Sequence, residues 1–243
     1  MKKQNKIFRL PRRFTSRNNR RGYTLAEVII AVAIIGTLAT LTISTYMTGS
    51  PSQNNQYVAG LKKAYAQLSY ATDQIKANNS GTMVGAISAD SYSLLRDKYC
   101  TYLKCTKICD NPVTDGCWPS NFKTLQGAAT SLVGTYRGAI LNDGTFILFS
   151  WSHKDCDDSH YTISGNNLAC GLITIDINGL KSPNIQGRDI FYFYSYQTGI
   201  VPDGDIGTAE VIGSGWSCDP TYVSFYSGYG CAAKILQEGK MLY

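Results

Sequence analysis

Charge is scarce in this chain. Charged residues make up 16% of its 243 positions, against 44% hydrophobic, and the net +6 is not spread evenly. Nine of the 23 basic residues, from Lys2 to Arg21, precede Tyr23 without a single acid among them; the remaining 14 face 17 acids. The basicity therefore belongs to an N-terminal leader, which the positive-inside rule keeps on the cytoplasmic side, and the charge gives no support to a basic nucleic-acid-binding domain. Histidine is almost missing, with only His153 and His160. The P-loop, the dinucleotide fingerprint, H-E-x-x-H and the G-x-S-x-G elbow are all absent. Nothing here points to an enzyme. The low charge, with 23 Gly and 17 Tyr, suits an extracytoplasmic, sheet-containing domain.

What the chain does have is an apolar run. Residues 23–47 read YTLAEVIIAVAIIGTLATLTISTYM and hold one charge, Glu27. As a helix the run reaches across the ~30 Å of bilayer hydrocarbon. It is longer than the apolar core of a secretory signal peptide, and no A-x-A site follows it. A plain anchor has no use for Glu27, because an ionised carboxylate in hydrocarbon costs several kcal/mol unless it is paired.

The stretch RRGYTLAEVIIAVAIIGTLA resembles the N-terminus of type IV prepilins, with a basic leader ending in Gly, an aromatic residue, Thr-Leu, one residue, Glu, and a long apolar helix. The resemblance implies cleavage by a prepilin peptidase between Gly22 and Tyr23, methylation of the new amine on Tyr23, and an assembly role for Glu27. The physics of burial agrees with that implication. Glu27 of one subunit neutralises the new N-terminus of a neighbour, a pair formed only on assembly, since a lone buried charge is heavily penalised. Tyr23 stands where Phe is commoner, and Ala26 where a bulky aliphatic is usual.

Three regions follow: a leader, residues 1–22; an apolar transmembrane or filament-core helix, 23–48; and an extracytoplasmic globular domain, 52–243. Gly49-Ser50-Pro51-Ser52 predicts a break. A second helix over 52–79 then carries Tyr57, Leu61, Tyr65, Leu68, Thr72 and Ile75 at three- and four-residue steps, a core-facing stripe. Residues 82–135 read as an irregular cysteine-rich segment, with a short helix at 91–98. Strands are expected from about Tyr136: a hairpin around Asn142-Asp143-Gly144, with positive φ supplied by Asp-Gly, then 172–177 and 190–196. Helix, variable segment and antiparallel strands make an α+β order. A second resemblance supports it. DINGLKSPNIQGRDIFYFYSY is similar to the D-x-N-G-x-x-x-P-N-x-x-G-x-D-x-F segment of bacterial pilin-like and secretion pseudopilin proteins, and CAAKILQEGKMLY resembles their C-terminal pattern, usually with Trp where Lys240 stands. The family fold lays the long helix across a small antiparallel sheet bearing disulfide-rich loops.

Four further groups ask for a role. Cys100, Cys105, Cys109, Cys117, Cys156, Cys170, Cys218 and Cys231 all lie beyond the apolar run, and an even count there reads as disulfides, with the pairing open. The first four are not spaced as the C-x2-C pairs of a zinc site. Asp176, Asn178, Asp189, Asp203 and Asp205 offer oxygen ligands for Ca2+, and calcium stabilises the C-terminal loops of some secretion pseudopilins. D-x-N-G is also a common turn, which is the reading adopted, and no cofactor is expected. His153 and His160 flank Cys156, Asp157 and Asp158 in a polar loop that is read as solvated. The aromatic run Phe191, Tyr192, Phe193, Tyr194 and Tyr196 is read as core.

The sequence thus implies a non-enzymatic filament subunit, a type II secretion pseudopilin or minor pilin, anchored by one helix in the bacterial inner membrane with its domain outside the cytoplasm. Its expected partners are the prepilin peptidase, other pilin or pseudopilin subunits, the inner-membrane assembly platform with its ATPase, and the bilayer. The competing class is a membrane-anchored extracytoplasmic binding protein or enzyme with a prepilin-like anchor.

Overall fold

A computed structural model describes residues 25, 26, 28–30, 32, 51–157, 168–204 and 218–243. The chain divides into two units, Met1–Thr48 and Gly49–Tyr243. Among the described residues no helix is long and apolar enough to cross a membrane. The expected membrane helix falls outside the described residues, except for Leu25, Ala26, Val28, Ile29, Ile30 and Val32, which are helical.

The second unit is α+β. Helix α1 (Pro51–Ala77) buries Tyr57, Val58, Leu61, Ala64, Leu68, Ala71, Thr72 and Ile75, the stripe that its helical period predicts. Tyr65 lies partly buried beside them and stacks on Phe193 with ring centroids 6.0 Å apart. The helix ends where Ser80 and Gly81 take positive φ and Gly81 N–H bonds the Lys76 carbonyl, a left-handed terminus. Helix α2 (Tyr92–Cys100) opens on Ser91, whose side chain accepts from Leu94 N–H, an N-cap that satisfies one orphan donor.

The strands are β1 (Cys105–Cys109), β2 (Phe122–Lys123), β3 (Ala129–Thr130), β4 (Arg137–Leu141), β5 (Phe146–Ser152), β6 (Ala169–Asp176), β7 (Ile190–Tyr196) and β8 (Ile200–Pro202). Six of them form one sheet in the order β1-β4-β5-β6-β7-β8, while β2 and β3 pair separately. Every neighbour in the large sheet is antiparallel. Alternation of side chains sends Ile147, Phe149, Ile173, Ile175, Phe191 and Phe193 into the core shared with α1. Phe146, Leu148 and Tyr192 instead join Trp118 and Phe122 in a second cluster. All seven residues of β7 are buried, so the aromatic run is core on both faces.

Three expectations are corrected. Strands do not begin near Tyr136: β1 lies inside the segment expected to be irregular, and it pairs with β4. Its three central residues, Thr106, Lys107 and Ile108, are exposed, so an edge strand carries no apolar alternation to read. In the β4–β5 turn only Gly144 has positive φ, at +86°; Asp143 does not. The stretch 136–243, which the sequence reads as sheet and C-terminal loops, also contains helix α3 (Cys231–Glu238), ended by Gly239 at φ +71°.

Candidate processing and assembly segment

Gly22, Tyr23 and Glu27, the expected processing and assembly residues, lie outside the described residues. The helical positions around them are apolar and open to solvent: Leu25 is 77% exposed, Ile29 and Ile30 59%, and Val32 63%. An apolar helix surface of this kind is stable only against lipid or other helices. Gly22, Tyr23 and Glu27 neighbour these positions in the sequence.

In the globular unit all eight cysteines are paired, as Cys100–Cys105, Cys109–Cys117, Cys156–Cys170 and Cys218–Cys231. No free thiol remains, so the thiolate ligands of a zinc site are consumed. The pairs are sequential. They tie the end of α2 to the start of β1, the end of β1 to the following loop, the polar loop to β6, and the loop at Cys218 to α3.

The D-x-N-G motif forms a network. Asp176 Oδ1 accepts from Asn178 N–H at 3.1 Å, and Asp189 accepts from Asn184 N–H at 2.8 Å and Ile185 N–H at 2.6 Å. With its amide oriented to suit its neighbours, Asn184 donates to Asp176 Oδ2 at 3.2 Å and to the Gly179 carbonyl at 3.0 Å. Both carboxylates are fully buried. Burial first, and then the Asp189 charge, hold Asp176 well above the usual carboxylate range. Burial raises Asp189 to about 6 against the lowering pull of its N–H donors. Asp176, Asn178 and Asp189 are thus brought together. Asp203 sits just after β8, its N–H on the Tyr192 carbonyl and its own carbonyl receiving Ala233 N–H. Asp205 lies outside the described residues. No group of three or more His, Cys, Asp or Glu side chains that could hold a metal forms among the described residues.

His153 Nδ1 lies 3.3 Å from Asp157 Oδ1 in a loop stapled by Cys156–Cys170; Asp158 and His160 fall outside the described residues. Sequence reasoning did not single out Ser152, Arg137 and the first turn of α2, which the sheet gathers around one cleft. They come from three separated stretches, and no linear pattern joins them.

No curated protein and no solved structure matches the chain significantly. Residues 17–43 match the family model for the prokaryotic N-terminal methylation motif. That span contains Arg17, Arg20, Arg21, Gly22, Tyr23, Glu27 and most of the apolar run. The N-terminal segment of this chain carries the prepilin-type cleavage and methylation signature of type IV pilins and pseudopilins.

Proposed function

We propose that this chain is a non-enzymatic type IV pilin-like filament subunit, a type II secretion pseudopilin or a minor pilin. The observation that carries the reading is the methylation motif over residues 17–43, with Gly22-Tyr23 and Glu27 inside it. The leader stays cytoplasmic, the 23–48 helix spans the inner membrane, and the disulfide-bonded domain lies in the periplasm or on the filament surface. A prepilin peptidase cuts before Tyr23 and methylates it. The assembly platform and its ATPase then lift the subunit out of the bilayer and pack its apolar helix against those of other subunits.

Exchange of lipid for helix–helix packing is nearly neutral in hydrophobic terms, so polar pairing and close packing decide register. Glu27 facing a neighbour's Tyr23 amine supplies that pairing. Breaking such a buried pair by removing one partner costs about 3–5 kcal/mol, enough to remove a subunit from the filament without removing it from the membrane. The arrangement of the globular unit supports the reading: α1 lays its apolar face on an antiparallel sheet, as the pilin-like fold requires. The D-x-N-G…P-N…G-x-D network favours the secretion-type relatives within this class.

The test is Glu27→Ala. Membrane insertion should persist while incorporation into filaments, measured by shearing and immunoblotting, falls at least tenfold. Normal filament yield would sink the pairing argument. A membrane-anchored enzyme or binding protein would show no filament fraction in either form.

A further inference from the structure

An open cleft of about 370 Å³ lies among the N-terminus of α2, strand β4 and the end of β5. None of its eight lining residues is aliphatic; the walls are hydroxyls, two aromatic residues and charged or imidazole groups. Ser91 caps the helix by accepting Leu94 N–H with its side chain and Leu95 N–H with its carbonyl. The N–H groups of Tyr92 and Ser93 therefore remain at the first turn without an intrahelical acceptor. They present the positive end of the helix to the cleft.

Arg137 reaches the same turn from β4. Its Nε donates to Ser93 Oγ at 3.1 Å, and its Nη1 to the carbonyls of Tyr136 and Asp110 at 2.9 and 3.1 Å. Ser93, having accepted that bond, keeps its own proton to donate. Asp110 is 3.7 Å from Arg137 Nε but bonds Arg96 Nη1 at 2.7 Å. From the end of β5 comes Ser152. It is only 3% exposed and its Oγ has no hydrogen-bond partner, an arrangement that costs stability unless something arrives to accept or donate. His153, bonded to Asp157, stands at the rim.

We infer that this cleft binds the carboxylate of a small hydroxyl-rich acid, of the uronic-acid class. The carboxylate meets the Tyr92 and Ser93 N–H groups and the Arg137 guanidinium, and a ligand hydroxyl satisfies Ser152. The volume suits one sugar ring or two, and the hydroxyl-lined walls favour a polyol over an aliphatic acid. A single charge fits better than two. Asp90 lies on the same wall, its Oδ1 accepting Lys154 N–H at 2.7 Å, and repels a dianion. This site belongs to the globular unit alone and does not depend on the filament reading.

The test is a titration of the full-length chain in detergent micelles with glucuronate, glucose 6-phosphate and glucose, read by the amide shifts of Tyr92 and Ser93. Glucuronate should give saturable shifts, glucose 6-phosphate weaker ones and glucose none. Ser152→Ala should weaken glucuronate binding about tenfold while leaving the melting temperature unchanged or higher, because an unpaired buried hydroxyl has been removed. Four results overturn the inference: no saturable shift with glucuronate by ~10 mM, equal binding of glucose, tighter binding of glucose 6-phosphate, or full affinity in Ser152→Ala.

Discussion

Gly228→Ala should destabilise the globular unit far more than Gly85→Ala, although both glycines adopt positive φ, +104° and +73°. At Gly85 an added Cβ meets nothing within 4 Å, so the cost is conformational alone, about 1 kcal/mol. At Gly228 the same atom would sit 2.5 Å from the Gln186 carbonyl oxygen and 2.7 Å from its carbon. Ordinary contact begins at 3.4 Å, so one of the two backbone segments must retreat by about 0.9 Å. Those segments are tied down. Gln186 N–H bonds Lys123 O at 2.8 Å, Gly187 N–H bonds Ile190 O at 2.8 Å, and Leu125 N–H bonds Ser227 O at 3.0 Å. Losing one or two of these bonds adds roughly 1 kcal/mol each, giving about 3 kcal/mol for Gly228→Ala. The assay is urea unfolding of both variants under identical conditions, with the slope checked for constancy. If the two variants lie within about 0.5 kcal/mol of each other, the close approach of these loops is wrong.

Other outcomes follow from the same structure. Asp189, raised from 3.8 to about 6, binds its proton more tightly folded than unfolded, so its contribution is full below about pH 4 and lost as pH rises through about 6. The stability of Asp189→Asn relative to wild type should therefore rise between pH 4 and pH 7, by up to about 3 kcal/mol; a pH-independent difference in calorimetry would contradict the burial argument. Leu68→Ala, at a position only 2% exposed in the α1 seam, should cost about 2–5 kcal/mol in urea unfolding. Tyr70→Ala, at a site 58% exposed on the same helix, should change stability by less than about 0.5 kcal/mol. Replacing Cys156 and Cys170 together by Ala opens a link across 14 residues of sequence and should cost about 3 kcal/mol, read as a lower melting temperature.

Much of this fold is legible because single strong signals act locally. The period of Tyr57, Leu61, Leu68 and Ile75 places α1, and β7 coincides with its expected span, 190–196, because an unbroken aromatic run has one place to go. The hairpin is found from Asn142-Asp143-Gly144, yet the detail that only Gly144 turns left-handed depends on how the strands meet. Strand β1 escapes notice because Thr106, Lys107 and Ile108 lie at the sheet edge, where pairing with β4 replaces burial as the cause of structure. Helix α3 is short, and its plainest mark is Gly239, whose role as a C-terminal cap emerges from its positive φ. Gly22, Tyr23 and Glu27 are legible because the methylation motif is a linear pattern carried by neighbouring residues of the sequence. The Ser152 cleft is not, because its parts lie near residues 92, 137 and 152 and meet only through sheet register.

The central claim concerns what happens at Gly22. Mass spectrometry of the protein isolated from membranes decides it most directly. The account predicts a mature chain beginning at an N-methylated Tyr23, with the precursor accumulating when Gly22 is substituted. A membrane-borne protein that still carried its basic leader, with an unmethylated Tyr23 inside an uncut chain, would contradict it.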